Sequence, residues 1–300
     1  MSDVAFFGAV EIGLVYALVA LGVYLSFRVL DFPDLTVDGS FPLGAAVAAT
    51  WIVSGGNPWL GSLAAMLAGA GAGLVTALLN VRFRILHLLA SILTMIALFS
   101  INLRIMGRPN VAILMQDTVL TPFYGLNLFG VGVPEHIVRP LVVGTVALVA
   151  VALLAWFLTS AFGLAMRATG VNARMARAQG VETDRHVYFG IALSNALVAL
   201  AGALFAQTNG FADVTTGIGT IVVGLAAVIV GETLVPLRGL AGALLGCVIG
   251  SILYRLAVQL ALSAEVVGLE AADLNLVTAV LVAVALILPR SRLRAAKVAK

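Results

Sequence analysis

From Val138 to Thr159 the chain carries one charged residue, Arg139, in a run that is otherwise almost wholly apolar. About twenty such residues are what a helix needs to cross the hydrocarbon core of a bilayer, and a helix apolar on every face needs lipid or a very large core around it. The pattern recurs at about Phe6–Phe27, Leu60–Asn80, Leu86–Met106, Val187–Gln207, Ile218–Gly231, Leu240–Leu260 and Leu274–Leu288, with a shorter apolar segment ending at Val53. Only 10% of residues are charged, against about 25% in a soluble domain, so lipid is the solvent for most of this chain. These runs predict an all-α polytopic membrane protein with about nine transmembrane helices, within a range of eight to ten. The whole of 1–300 reads as one transmembrane domain with no soluble domain beside it. Asp31 to Pro42 holds Pro33, Gly39 and Pro42, which disfavour a continuous helix, so the second span is expected to be broken.

Small residues mark helix faces that pack closely. Gly69 and Gly73 sit four apart in one run, and Gly242, Gly246 and Gly250 do so in another. Between about 107 and 137, Pro109, Asn110, Pro122, Asn127 and Pro134 interrupt the apolar pattern and predict an extracytoplasmic loop lying across the mouth of the bundle. Ser2 and Asp3 stand where a cleavable signal would carry basic residues, so the first run is expected to stay as a span. Trp51, Trp59 and Trp156 fall near span ends, as an aromatic belt requires.

Basic residues orient the chain. With the N-terminus outside, Arg28, Arg82, Arg84, Arg167, Arg174, Arg177, Arg185, Arg238, Arg290, Arg292, Arg294, Lys297 and Lys300 lie inside, leaving Arg104, Arg108, Arg139 and Arg255 toward the outside. That asymmetry follows the positive-inside rule and predicts an outside N-terminus and a cytoplasmic C-terminus. The net charge of +3 is then a topology signal and implies no nucleic acid partner.

An arginine-rich interruption runs from Ser160 to Arg185. Leu164, Ala168, Val171, Met175 and Ala178 step by helical spacing onto one face, with Arg167, Arg174 and Arg177 elsewhere around it. Gly163, Gly170 and Gly180 punctuate the segment, so one or two short helices are expected. Such a segment can dock on a cytoplasmic protein or lie on anionic lipid.

Polar residues within apolar runs are costly and tend to face a bundle interior or a solute path. Asp31, Asp34, Thr36, Asp38, Ser40, Asn195 and Gln207 are the candidates for a translocation path, with Thr94, Asn102 and Asn209 also polar within or beside spans. The competing account makes 31–42 a loop whose Asp38 or Ser40 caps the following helix. Glu232 is expected to pair with Arg238. No phosphate-binding loop, His-Glu-x-x-His motif or cysteine cluster is present, and Cys247 stands alone, so no catalytic residue and no metal site is expected.

Gly163-Leu164-Ala165-Met166-Arg167-Ala168-Thr169-Gly170, Asn172, Met175-Ala176, Gly180-Val181 and Thr183-Asp184-Arg185 resemble the permease subunits of bacterial ABC importers of the branched-chain amino acid and ribose group. Ala196 to Leu204, Ala226 to Gly231, Leu237 to Ala243 and, at the front, Tyr16 to Gly22 extend the likeness. Where those permeases usually carry Asn-Phe-Ala-His-Gly, this chain has Asp31-Phe32-Pro33-Asp34-Leu35-Thr36-Val37-Asp38-Gly39-Ser40, which is similar to a branch linked to aromatic amino acids. The resemblance implies a cytoplasmic coupling helix at 163–182, with Arg167, Ala168, Gly170, Asn172, Met175, Ala176, Gly180 and Val181 meeting the ATPase. It implies partner ABC ATPase subunits that bind ATP and Mg while this chain binds no cofactor. It also implies an extracytoplasmic substrate-binding protein, a second permease copy as a homodimer, and residence in the bacterial inner membrane. The expected cargo is a small solute, an aromatic or branched-chain amino acid. An ion-gradient transporter using Asp31, Asp34 or Asp38 is the alternative; its inverted repeats are not evident.

Overall fold

The computed structural model describes residues 3–124, 127–128, 131–132, 134–234, 239–263, 280 and 283. Ten α-helices lie among them: α1 (Asp3–Val23), α2 (Val37–Val53), α3 (Pro58–Val81), α4 (His87–Met106), α5 (Glu135–Thr159), α6 (Ala161–Val171), α7 (Ala173–Ala178), α8 (Thr183–Asn209), α9 (Thr220–Leu234) and α10 (Leu240–Ser263). Among the described residues, seven segments are long and apolar enough to cross a membrane: Asp3–Val29, Pro58–Val81, His87–Met106, Glu135–Thr159, Thr183–Asn209, Val214–Leu234 and Leu240–Ala261. The sequence led to about nine. One difference is α2, whose 17 residues fall short of a full crossing. The other is Leu274–Leu288, of which only residues 280 and 283 are described, while Arg238 and the basic tail lie outside the described residues.

Close backbone approach, more than bulky side chains, assembles the bundle. Inside a bilayer the lipid tails are as apolar as leucine, so helices associate through tight packing and hydrogen bonds. α8 is the most enclosed of the crossing segments, with 78% of its most apolar stretch buried against 28% for α4. Its neighbours meet it through glycine: a methyl group added at Gly44 of α2 would come 2.7 Å from Ala199 Cα, and one at Gly73 of α3 would come 2.9 Å from Ala192 Cα. Gly69, one turn before Gly73, faces Asn195 and Ala199 of the same helix, so the small-residue pair read in the sequence is the α3–α8 seam. Gly22 of α1 accepts a hydrogen bond from Ser194 Oγ at 2.7 Å. On the other side, Gly250 of α10 abuts Gly231 of α9, and Ser251 Oγ donates to the Gly13 carbonyl of α1 at 2.7 Å.

The two ends of the bundle differ. At one end β1 (Asn110–Ala112) pairs antiparallel with β4 (Phe211–Asp213), so the segment after α4 is stitched to the segment after α8. A second small ladder joins β2 (Asn127–Leu128) and β3 (Val131–Gly132). Val119 and Leu120 pack on Val138 and Val142 of α5, which holds the 107–137 loop down on the bundle. The other end carries the short helices α6 and α7.

Candidate functional site

The basic segment folds as two helices because Asn172 breaks it. Its backbone is extended (φ −160°, ψ 94°), and its Oδ1 accepts from the amides of Arg174 at 3.1 Å and Met175 at 3.0 Å, starting α7 afresh. Ser160 caps α6 in the same way, its Oγ accepting from Gly163 N at 3.2 Å. Gly180 ends α7 in the left-handed region (φ +83°) while Val181 N returns to the Ala176 carbonyl at 3.0 Å. The side chains divide in a way the sequence only half reveals. Met166, Thr169 and Ala176 are buried toward the bundle, whereas Leu164, Val171 and Met175 are exposed, Val171 at 87%. Arg167, Arg174 and Arg177 are exposed as well. Leu164 and Val171 of α6 and Met175 of α7 therefore all face away from the rest of the described chain.

Close contacts fix this segment to the spans. The Phe162 ring stacks on His186 at the start of α8, with centroids 4.3 Å apart. Gly170 lies against the carbonyl of Val29, so close that any β-carbon would overlap it. Val29 ends a π-helical turn, Tyr24–Val29, that continues α1. Such turns put strain and adaptability into a helix end and recur at functional places. Beside this junction is a cavity of about 640 Å³ lined by Asp31, Arg84, His87, Asn172, Arg177 and Asp184, among others.

Beyond Val29 the chain runs without helical structure until Val37, and this stretch is tied into the bundle by polar groups. Asp34 is fully buried; its Oδ1 accepts from Thr36 N at 2.9 Å and its Oδ2 from Asn195 Nδ2 at 2.6 Å. Asn195 Oδ1 accepts from Ser40 Oγ at 2.7 Å, and its Nδ2 also reaches the Ile191 carbonyl at 3.0 Å. The Thr36 hydroxyl meets the Thr76 hydroxyl of α3 at 2.7 Å. Irregular backbone at such depth is tolerated only inside protein, and this network supplies the partners it needs. Four of the candidate path residues, Asp34, Thr36, Ser40 and Asn195, thus come together as one satisfied cluster.

The remaining three are elsewhere. Asp31, with φ +53°, sits at the cavity beside α6. Gln207 works at the opposite end, accepting from Val119 N at 2.9 Å and donating to Ser62 Oγ at 2.9 Å. Asp38 belongs to the first turn of α2 but its carboxylate accepts from Gly219 N at 3.2 Å and Ile221 N at 2.8 Å, at the start of α9. Neither Asp38 nor Ser40 caps α2, as the alternative account of this loop expected; each is drawn off by a helix remote in sequence. Glu232 pairs with Arg28 through two nitrogens, Nε to Oε1 at 2.9 Å, while Arg238, its expected partner, lies outside the described residues. Thr76 and Ser62 were not singled out in the sequence. Thr76 lies on the same face of α3 as Gly69 and Gly73, and that spacing was the available clue.

The family model described as "Branched-chain amino acid transport system / permease component" matches residues 6–289. The chain belongs to this family. The permease is 36% identical to a tyrosine transport system permease protein of Clostridioides difficile (strain R20291) over 269 residues, 90% of this chain and 86% of that one. It is 34% identical over 191 residues to an uncharacterised protein of Rickettsia prowazekii (strain Madrid E), 64% of each chain. Its fold resembles PsaBC from Streptococcus pneumoniae in complex with Fab, with a TM-score of 0.51 and 15% identity, covering 94% of this chain and 89% of that chain. The permease is a multi-pass membrane transport subunit.

Proposed function

We propose that the permease is the membrane-spanning half of an ATP-driven importer for an aromatic amino acid, working as a pair of identical copies. In this account Asp31 to Thr36 completes the second crossing that α2 begins, the end bearing α6 and α7 is cytoplasmic, and the N-terminus is outside. A separate ATPase grips α6 and α7, and a binding protein delivers solute at the end where β1 and β4 pair. The observation that carries it is the outward apolar stripe of Leu164, Val171 and Met175 among exposed arginines. It sits on a segment capped at three points and braced against Val29, so a force applied there has a rigid route into α1 and α8. Aromatic cargo is favoured by the tyrosine permease of Clostridioides difficile, a relative over most of both chains. At the other end Leu114 and Met115 stand exposed at a loop tip, Met115 with φ +66°, a presentation that suits a delivering partner.

The ion-gradient alternative relied on Asp31, Asp34 or Asp38. Asp34 has both carboxylate oxygens engaged by amide donors and no exposed surface, which favours a structural role. The deciding experiment is uptake of labelled tyrosine, phenylalanine and leucine into proteoliposomes containing the permease with its co-purifying subunits. Uptake that needs internal or external ATP on the α6–α7 side and ignores ionophores supports the proposal. Uptake that collapses with a proton or sodium ionophore and proceeds without ATP refutes it.

A further inference from the structure

A second opening lies between the start of α2, the middle of α4 and the approach to α9. It is a cleft of about 340 Å³ whose walls include Met95, Ile96, Phe99 and Ile218, with Asp38 and Asn102 among the polar groups lining it. That volume is at the lower end for small-molecule sites, and an apolar wall with few convergent polar atoms is their usual chemistry. Asn102 is fully buried, and its Nδ2 donates to the Gly39 carbonyl at 3.2 Å. Its Oδ1 has no donor among the described residues. A buried amide oxygen is seldom left so, and it marks a place where an incoming donor is welcome. Asp38 is half-buried, and each of its oxygens accepts one backbone amide while keeping a free lone pair. The described lining contains no Lys, Arg or His.

Two kinds of acceptor oxygen, one of them a carboxylate, with no cation facing them, select a donor-rich cation. Resting on the amino-acid permease reading above, we propose that this cleft binds the transported amino acid by its ammonium group and its side chain. Asp38 and Asn102 hold the ammonium, and Met95, Ile96, Phe99 and Ile218 enclose an apolar or aromatic side chain. The lining offers the substrate carboxylate no charged partner, so recognition here is of the amine end. The carboxylate of Asp38 offsets the cost of bringing an ammonium group away from water.

The test uses the purified permease in lipid nanodiscs, with thermal unfolding and direct titration as readouts. Probes are L-tyrosine, tyramine (amine without carboxylate), 3-(4-hydroxyphenyl)propanoate (carboxylate without amine) and L-alanine. Tyrosine and tyramine should stabilise the protein at millimolar concentration, while the propanoate and alanine should not. Asn102→Ala should weaken tyramine binding about tenfold, the size expected for a bond to a charged group. Asp38→Asn should weaken it further, but could loosen α9. Phe99→Ala, on a side chain 51% exposed and so safe for folding, should weaken tyramine about fivefold and erase the preference for tyrosine over alanine. Equal binding of the propanoate, unaltered binding in both Asn102→Ala and Phe99→Ala, or no binding of any amine by the wild type would overturn the assignment. Uptake in proteoliposomes separates this from the broader reading. ATP-driven tyrosine transport that survives Asn102→Ala sinks the cleft alone, and a wild type that moves no amino acid sinks the importer.

Discussion

The Asp34–Asn195 bond can be tested by exchanging its two ends. In the wild type Asn195 Nδ2 donates to Asp34 Oδ2 at 2.6 Å, and both side chains have no exposed surface. Asp34→Asn keeps an oxygen for Thr36 N but turns an amide toward the Asn195 amide, so two donors face each other. Asn195→Asp keeps the acceptor for Ser40 but sets two carboxyl groups together. The double exchange restores a donor on residue 34 and an acceptor on residue 195; the Ile191 carbonyl loses its side-chain donor and faces a carboxylate oxygen, as it already does in the Asn195→Asp single. Hydrogen bonds between membrane helices average about 0.6 kcal/mol and reach about 1.7 kcal/mol. A short bond to a carboxylate at zero exposure belongs at the upper end, so each single exchange should cost about 1.5 kcal/mol or more. The double variant should recover at least about 1 kcal/mol relative to the sum of the singles. Thermal unfolding in nanodiscs, read by intrinsic fluorescence, gives the four values. Singles that unfold like the wild type, or a double that is merely additive, would refute the claim that this pair holds the irregular stretch in place.

The other predictions are shorter. Met175→Glu, on an exposed side chain of α7, should leave membrane expression unchanged and reduce stimulation of the partner ATPase at least about tenfold, measured by phosphate release. Gly170→Val should lower the amount of folded permease several-fold in a detergent-solubilised size-exclusion assay, since a β-carbon there overlaps the Val29 carbonyl. Reversing the Arg28–Glu232 pair (Arg28→Glu with Glu232→Arg) should change stability by less than about 1 kcal/mol, because both groups are partly exposed. Partial burial alone would raise the Asp213 carboxyl, but hydrogen bonds from Thr215 and Asn110 outweigh it and hold the group below the usual carboxylate range. Its bracing of β4 is therefore full at neutral pH and lost as pH falls through that lowered value. Asp213→Asn should flatten the acid limb of a stability profile measured between about pH 5 and pH 2.

Helical class and most crossing segments were legible because apolar runs of that length leave few alternatives, and Gly69 with Gly73 announced a seam that α8 fills. The shortness of α2 was half legible: Pro33, Gly39 and Pro42 warned of it. What backbone satisfied the break was hidden, since Asn195 and Thr76 are distant in sequence. The basic segment shows a subtler limit. Stepping Leu164, Val171 and Met175 by helical spacing groups them and all three are exposed, but the spacing does not show that Asn172 is where the segment divides. Asp38 has partners the sequence does not show: a carboxylate in a first helical turn commonly serves its own helix, and here the start of α9 offers it two amides. Glu232 likewise found Arg28, 204 residues away, because α1 and α9 finish at the same end.

That grip of Asp38 on Gly219 and Ile221 has a mechanical consequence. One carboxylate at the head of α2 clasps the head of α9, so sliding these two past each other would strip two donors from a single acceptor at once. The pair should travel as a single block through any transport cycle. Movement against that block would then fall to α4, the least enclosed of the described crossing segments.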